Sequence, residues 1–229
     1  MYNHNREKFQ TIATFKKEFG VHITTKHEGK MTGMASLSTS PLRNTFCKAR
    51  CKCKGTICAH CYAMTMQKRY SELAKCLVRN YEVLTKVIIP VEKMPILNYL
   101  MFRLESFGDV QNEVQLINYL NLCKRNPRTQ FTIWTKNMAI FERLFKRGYK
   151  GVSYNKPKNL IIIVSSPVVN MSVKIERYPF ADKVFTVYTE EYAKGHGIVT
   201  GCARLSCAVC QKCYNRNNRE RYINELLKN

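Results

Sequence analysis

The sequence predicts an α/β fold, either a partial (β/α) barrel or an open parallel sheet, in a single domain over residues 1–229 with two cysteine-rich metal-binding loops at about 42–61 and 198–214. Three observations lead there. Short apolar runs of strand length alternate with amphipathic stretches of helix length, the order that builds right-handed β-α-β units. Five such runs are found, too few for a closed eight-stranded barrel. Nine of the eleven cysteines lie in two tight groups.

In chain order, a short helix is expected around Phe15 to Phe19. Met34 to Thr39, with small and apolar residues in alternation, reads as the first strand and Pro41 ends it. The loop from Leu42 to His60 is dense in Cys and Lys. Cys61 to about Val87 reads as one long amphipathic helix, because Met66, Tyr70, Leu73, Leu77, Tyr81 and Leu84 recur at three- and four-residue intervals. Ile96 to Leu104 is the second strand and Glu105-Ser106-Phe107-Gly108-Asp109 its turn. Asp109 is a candidate cap for the helix from Gln111 to Arg125, whose apolar side is Val114, Ile117, Leu120 and Leu122 and which Asn126-Pro127 closes. Gln130 to Thr135 is the third strand, Met138 to Lys146 a helix stopped by Gly148, Leu160 to Val164 the fourth strand and Lys183 to Tyr188 the fifth. Residues 198–214 form the second cysteine loop, and Arg219 to Leu227 reads as a terminal helix.

Parallel α/β sheets bind their ligands at the carboxyl ends of the strands. That end receives the first cysteine loop, then Glu105 and Asp109, then Lys136, then Ser165 and Ser166. Glu105, Asp109 and Lys136 are therefore candidate cofactor-binding residues: the carboxylates for a cationic or hydroxyl-bearing ligand or for proton transfer, the lysine for phosphate. An N-cap role for Asp109 competes with this. Trp134 fits either base stacking or the core.

The first cysteine group is Cys47-x3-Cys51-x-Cys53-x4-Cys58-x2-Cys61 and the second is Cys202-x4-Cys207-x2-Cys210-x2-Cys213. Both contain C-x4-C-x2-C, a ferredoxin-type spacing that needs one further cysteine. Cys213 completes the second set, and Cys47 or Cys51 the first. The metal ligands expected are Cys47, Cys53, Cys58 and Cys61 with Cys202, Cys207, Cys210 and Cys213, and Cys51 stands open against Cys53. Zinc competes, since Cys58/Cys61 and Cys207/Cys210 would form one tetrahedral site if they met in space. Cys76 and Cys123 sit inside amphipathic helices and read as small core residues. His22, His27, His60 and His196 are further metal-ligand types, with His60 a bystander between thiols.

Lys and Arg number 38 against 16 Asp and Glu, a net charge of +22. Such an excess favours polyanions, nucleic acid first, through counterion release. It equally serves solubility, or offsets thiolate charge around a metal. The basic residues Lys48, Arg50, Lys52 and Lys54, with Lys212, Arg216 and Arg219, run through or beside the cysteine loops. No apolar run approaches the ~18 residues of a membrane span. The opening Met1-Tyr2-Asn3-His4-Asn5-Arg6 has no apolar signal region behind it, so a cytoplasmic location is expected and stable disulfides are not.

Ser38-Thr39-Ser40-Pro41 before Cys47, Cys58-Ala59-His60-Cys61-Tyr62-Ala63, Glu105-Ser106-Phe107-Gly108-Asp109, Phe131-Thr132-Ile133-Trp134-Thr135-Lys136-Asn137 and the terminal cysteines from Cys202, taken in that order over roughly residues 35–215, resemble the phage gene product eighty-eight family. The resemblance implies a phage origin, hence the host cytoplasm, and this architecture rather than a reaction. The layout is also distantly similar to radical S-adenosylmethionine enzymes, which place a three-cysteine loop after the first strand of a partial barrel. Their C-x3-C-x2-C motif is absent: Cys47-x3-Cys51-x-Cys53 fails in its last step. Glu105 is the sole acidic residue near the place where a Gly-Gly-Glu segment would follow strand two. The expectation is an iron–sulfur protein with one or two 4Fe–4S clusters, in enzyme form binding S-adenosylmethionine and acting on nucleic acid or nucleotides. The alternative is a non-catalytic protein, stapled by zinc or clusters, that binds nucleic acid or a host nucleic-acid machine; partners from either host or phage fit this reading.

Overall fold

The computed structural model describes residues 10–202 and 205–227. The amino-terminal stretch read for a leader lies outside them. Six strands form one all-parallel open sheet: β1 Ala35–Leu37, β2 Met101–Leu104, β3 Gln130–Thr135, β4 Leu160–Ser165, β5 Lys183–Tyr188 and β6 Tyr222–Leu226, paired in the order in which they occur in the chain. That order is the order of a barrel wall, but the sheet stays open between β1 and β6. β3 and β5 fall on the predicted residues. β6 replaces the expected terminal helix: Tyr222 to Leu226 pairs residue by residue with Val184 to Tyr188.

Helices α1 Ile12–Phe19, α4 Ser71–Leu84, α5 Glu113–Arg125 and α6 Met138–Arg147 cover one face of the sheet. Phe15, Leu84, Leu116, Leu120, Phe141 and Leu144 pack there on Leu37, Phe102, Leu104, Phe131, Ile133, Leu160 and Ile162. Phe102 and Phe131 are fully buried with ring centroids 5.3 Å apart. Truncating either to Ala removes about 3–5 kcal/mol. Helix α5 is buried along most of its length, polar residues included. Its Asn118 and Asn121 side chains satisfy the backbone of the passing segment at Leu84, Val87 and Ile89. Gly148, at φ +72°, ends α6 where an added Cβ would lie 2.2 Å from the Val152 carbonyl oxygen, so only glycine fits.

The long helix expected from Cys61 to Val87 is two, α3 Tyr62–Arg69 and α4, broken at Tyr70, which is extended at φ −116°, ψ 106°. Buried Gln67 holds α3 down by bonding Ser40. Asp109 does not cap α5. Asn112 does, accepting from Gln115 N at 3.0 Å, because the chain needs three more residues to enter the helix.

Strands alternate, so the opposite sheet face carries Arg103, Thr132, Trp134, Ile161, Ile163, Phe185 and Ile223. Cys202, Cys207, Cys213 and Tyr214 lie over it. Cys213 and Tyr214 pack with Met34, Ile161, Ile163 and Ile223 in a second apolar core. Among the described residues no helix is long and apolar enough to cross a membrane.

Candidate thiol sites on the sheet face and at the strand ends

The first cysteine loop runs across the carboxyl end of the sheet, as its position after β1 predicts. Asn44 caps α2 Thr45–Cys51, accepting from Cys47 N at 3.0 Å, and donates to the Asp109 carbonyl at 2.7 Å. One side chain thus starts the helix and ties it to the turn after β2. Helical spacing puts Cys47 and Cys51 on one side of α2. Further on, Thr56 pairs with Val168 and Ile57 N donates to Pro167 O at 3.0 Å, which anchors the loop beyond β4. A 3-10 turn, Ile57–His60, then presents Cys58, and Cys61 opens α3.

Cys47, Cys51, Cys58 and Cys61 converge. Burial pushes the thiols of Cys47 and Cys51 far up, reinforced at Cys47 by the Asp109 and Glu105 carboxylates and at Cys51 by the neighbouring Cys61 and Cys58. Lys136 works the other way on Cys51 and Cys58, as does Arg50 on Cys58. Cys53 stands apart: it is exposed and its Sγ donates to the Ala49 carbonyl at 3.5 Å.

Beneath these thiols lie the two predicted carboxylates, both already engaged by the protein. Glu105 is buried in a left-handed conformation, φ 54°. Its carboxylate accepts from Thr39 N and Oγ1, Gln115 Nε2 and Tyr119 Oη. Burial pushes its pKa up to about 8 against the downward pull of those donors. Four partners hold it in a backbone conformation that costs a non-glycine residue about 1 kcal/mol or more. Gly108 makes room for it, since a Cβ there would lie 3.1 Å from Glu105 Oε2. Asp109 accepts from Val110 N, Thr135 Oγ1 and Lys136 N at 2.7 to 2.8 Å, which locks the ends of β2 and β3 together. Burial raises its pKa. Of the three candidate cofactor-binding residues, Lys136 alone keeps its side chain free of protein hydrogen bonds among the described residues, facing the thiols.

The second set sits on the sheet face. Gly201 and Cys202 both donate to the Asn224 carbonyl. α7 Cys207–Cys210 is a single turn, after which Gln211 at φ 52° reverses the chain to bury Cys213. Burial pushes the Cys213 thiol up, reinforced by Cys202, Cys207 and Cys210. Lys30 bridges the Cys202 carbonyl at 2.9 Å and Glu225. Thr132, Lys183 and Arg216 strap the loop to the sheet through backbone carbonyls of Cys213, Asn218 and Leu160. At the centre Arg103 lies 3.9 Å above the Trp134 ring, against Tyr214, Cys207 and Cys213, its buried Nε without a hydrogen-bond partner among the described residues. Trp134 is therefore part of the floor under the loop.

The two sets do not merge into one site. Each thiol's charged neighbours belong to its own set, Asp109 and Lys136 for Cys58, Arg103 and Lys30 for Cys207. Two of the candidate histidines have other partners: His27 bonds Ser36 at 2.9 Å and His196 stacks on Tyr192 at 3.9 Å. Among the described residues no three His, Cys, Asp or Glu side chains are already arranged as a metal site. The residue types nevertheless suit one: each set offers four cysteines, and thiols give up their protons when a metal binds. Cys76 is half-buried on α4 and Cys123 fully buried, apart from both sets.

Sequence reading alone missed Arg103, Tyr62 and Tyr214. The signal was there. Cys58-Ala-His-Cys61-Tyr62 and Cys210-Gln-Lys-Cys213-Tyr214 share C-x2-C-Y, and both tyrosines flank Arg103. A family model described as Gene product 88 matches residues 13–205. No curated protein and no solved structure matches the chain.

Proposed function

This chain belongs to the gene product 88 family, the phage family its motifs resemble, and we propose that it is a metal–thiolate protein that engages nucleic acid at the carboxyl end of its sheet. One observation carries the reading: Cys47, Cys51, Cys58 and Cys61 gather where parallel sheets place their ligand sites, inside a segment rich in cations. These four would hold an iron–sulfur cluster, which when bound supplies a redox centre. Lys136 and Arg50 offset the thiolate charge. Asp109 and Glu105 fix the strand ends beneath, and Asn44 orients α2. Cys202, Cys207, Cys210 and Cys213 would close a second, fully thiolate-ligated site that staples the loop to the sheet. S-adenosylmethionine has no part in this reading, because the C-x3-C-x2-C spacing is missing.

The test is iron, sulfide and zinc analysis with visible spectroscopy on anaerobically purified protein, alongside salt titrations of nucleic-acid binding. The expected result is a brown protein carrying iron and sulfide, with an affinity that falls steeply as salt rises. A colourless protein with stoichiometric zinc overturns the iron–sulfur assignment, and metal-free thiols overturn both. A zinc staple at the sheet-face thiols is the second reading, favoured there by the buried Cys213 and the four-cysteine set, which leaves no open position.

A further inference from the structure

From Gly29 to Ser71 the chain carries no Asp or Glu but eight Lys and Arg. This segment holds the strand-end thiols, and its exposed aromatic rings are interleaved with the cations. Tyr62 is 62% exposed although its hydroxyl is fixed, donating to the Ser106 carbonyl at 2.7 Å. Phe107 packs against the ring, centroids 5.8 Å apart and tilted by 55°. The ring is thus held rigid at one edge and open to solvent. Tyr70 is 46% exposed with the Arg69 guanidinium 5.6 Å from its ring centre, and Arg50 stands 5.5 Å from that of Phe46. Among the described residues, Lys48, Lys52, Lys54 and Arg69 are exposed and make no ion pair.

We propose that this rim is a stacking surface for single-stranded nucleic acid, with Tyr62 its central platform. Resting on the reading of the strand end as a nucleic-acid site, it adds the class of strand. Bases expose their faces to aromatic side chains only when unpaired, and such platforms are sequence-tolerant because every base has a π-face. Tyr62 and Tyr70 bracket α3, about 12 Å apart along its axis. At the ~3.4 Å spacing of a stacked strand, that distance spans about three to four nucleotides. The exposed cations beside the rings take the phosphates. A duplex would meet the same cations but offer no base face to Tyr62.

The experiment measures binding of full-length, metal-loaded protein to a labelled oligothymidylate, its RNA counterpart and a duplex of equal length, with polyglutamate as competitor. Single strands are expected to bind more tightly than duplex, the DNA and RNA arms deciding which sugar is preferred. Tyr62→Leu is expected to weaken single-strand binding about ten- to a hundredfold, the loss of one base stack, with the salt slope and metal content unchanged. Tyr62→Phe, which keeps the ring, is expected to retain most of the affinity. Equal affinity for duplex, displacement by polyglutamate as effective as by nucleic acid, or indifference to Tyr62→Leu overturns the stacking surface while leaving a nucleic-acid site at the strand end intact. Failure to bind any nucleic acid at low salt overturns that site as well.

Discussion

The two thiol sets share C-x2-C-Y and differ in what lies beneath them. At the strand ends the thiols are carried by a short helix and a 3-10 turn, are partly exposed, and rest on polar residues: Asn44, Glu105, Asp109 and Lys136. On the sheet face the last thiol is buried and its neighbours are Met34, Ile161, Ile163 and Ile223. On the proposed reading, thiols over a polar floor hold a ligand, and thiols packed on an apolar cluster act as a lid. Removing the first set is expected to cost function and removing the second to cost the fold.

The sharpest way to break that contrast is at Cys213. Cys213→Ser puts a hydroxyl into an apolar core and is expected to lower stability by more than about 4 kcal/mol through lost packing, whereas Cys51→Ser, at the partly exposed strand end, is expected to cost about 1 kcal/mol although it loses metal. Urea unfolding of both variants checks this, and equal losses would mean that neither set is a lid. A pH series is the next largest effect. The Glu105 pKa is about 8 in the folded chain against an ordinary 4.5. The native state therefore keeps a proton that the unfolded chain releases. This contribution is fully present below about pH 4.5 and is lost as pH rises through about 8, a change on the order of a few kcal/mol. Glu105→Gln is expected to flatten this part of the stability–pH curve, measured by denaturant unfolding at stepped pH. A slope that survives the substitution would place its origin elsewhere.

Asn44→Ala removes a cap and the tie to Asp109. Its expected cost is about 1–2 kcal/mol, together with weaker metal retention at the strand-end thiols and unchanged retention on the sheet face, resolved by stepwise chelator titration. Loss from both sets would show that they are coupled. The smallest effect is expected at Cys53. Cys53→Ser should alter stability by less than about 0.5 kcal/mol and leave metal content untouched, while Cys51→Ser loses metal. The reverse result would return Cys53 to the ligand set.

Much of this was legible in the sequence. β3 and β5 stand on their predicted residues because their apolar runs are bounded by turn residues and buried on both faces. The strand-end position of the first loop, and of Glu105, Asp109 and Lys136, followed from connectivity. β6 did not, because Ile223, Leu226 and Leu227 fall at helical spacing. Only the open edge of β5, which is tertiary information, makes the segment a strand. The break at Tyr70 has no glycine or proline to announce it. Its visible counterpart is the buried Gln67–Ser40 pair, which ties α3 to a residue 27 positions earlier. The shared helix side of Cys47 and Cys51 was hidden because α2 was not expected within the loop.

Sequential strand order bears on how the chain is made. Each strand of this sheet pairs with the one synthesised just before it. The helix-covered side can therefore accrete as the polypeptide leaves the ribosome, at about 5–20 residues per second. The other side is different. Trp134, Ile161, Ile163 and Phe185 are all translated before Cys202, Cys207, Cys213 and Tyr214, which pack on them. For that interval the nascent chain displays a bare apolar sheet. Nascent chains stalled just before Cys202 should accordingly recruit chaperones or aggregate, while those released after β6 should not.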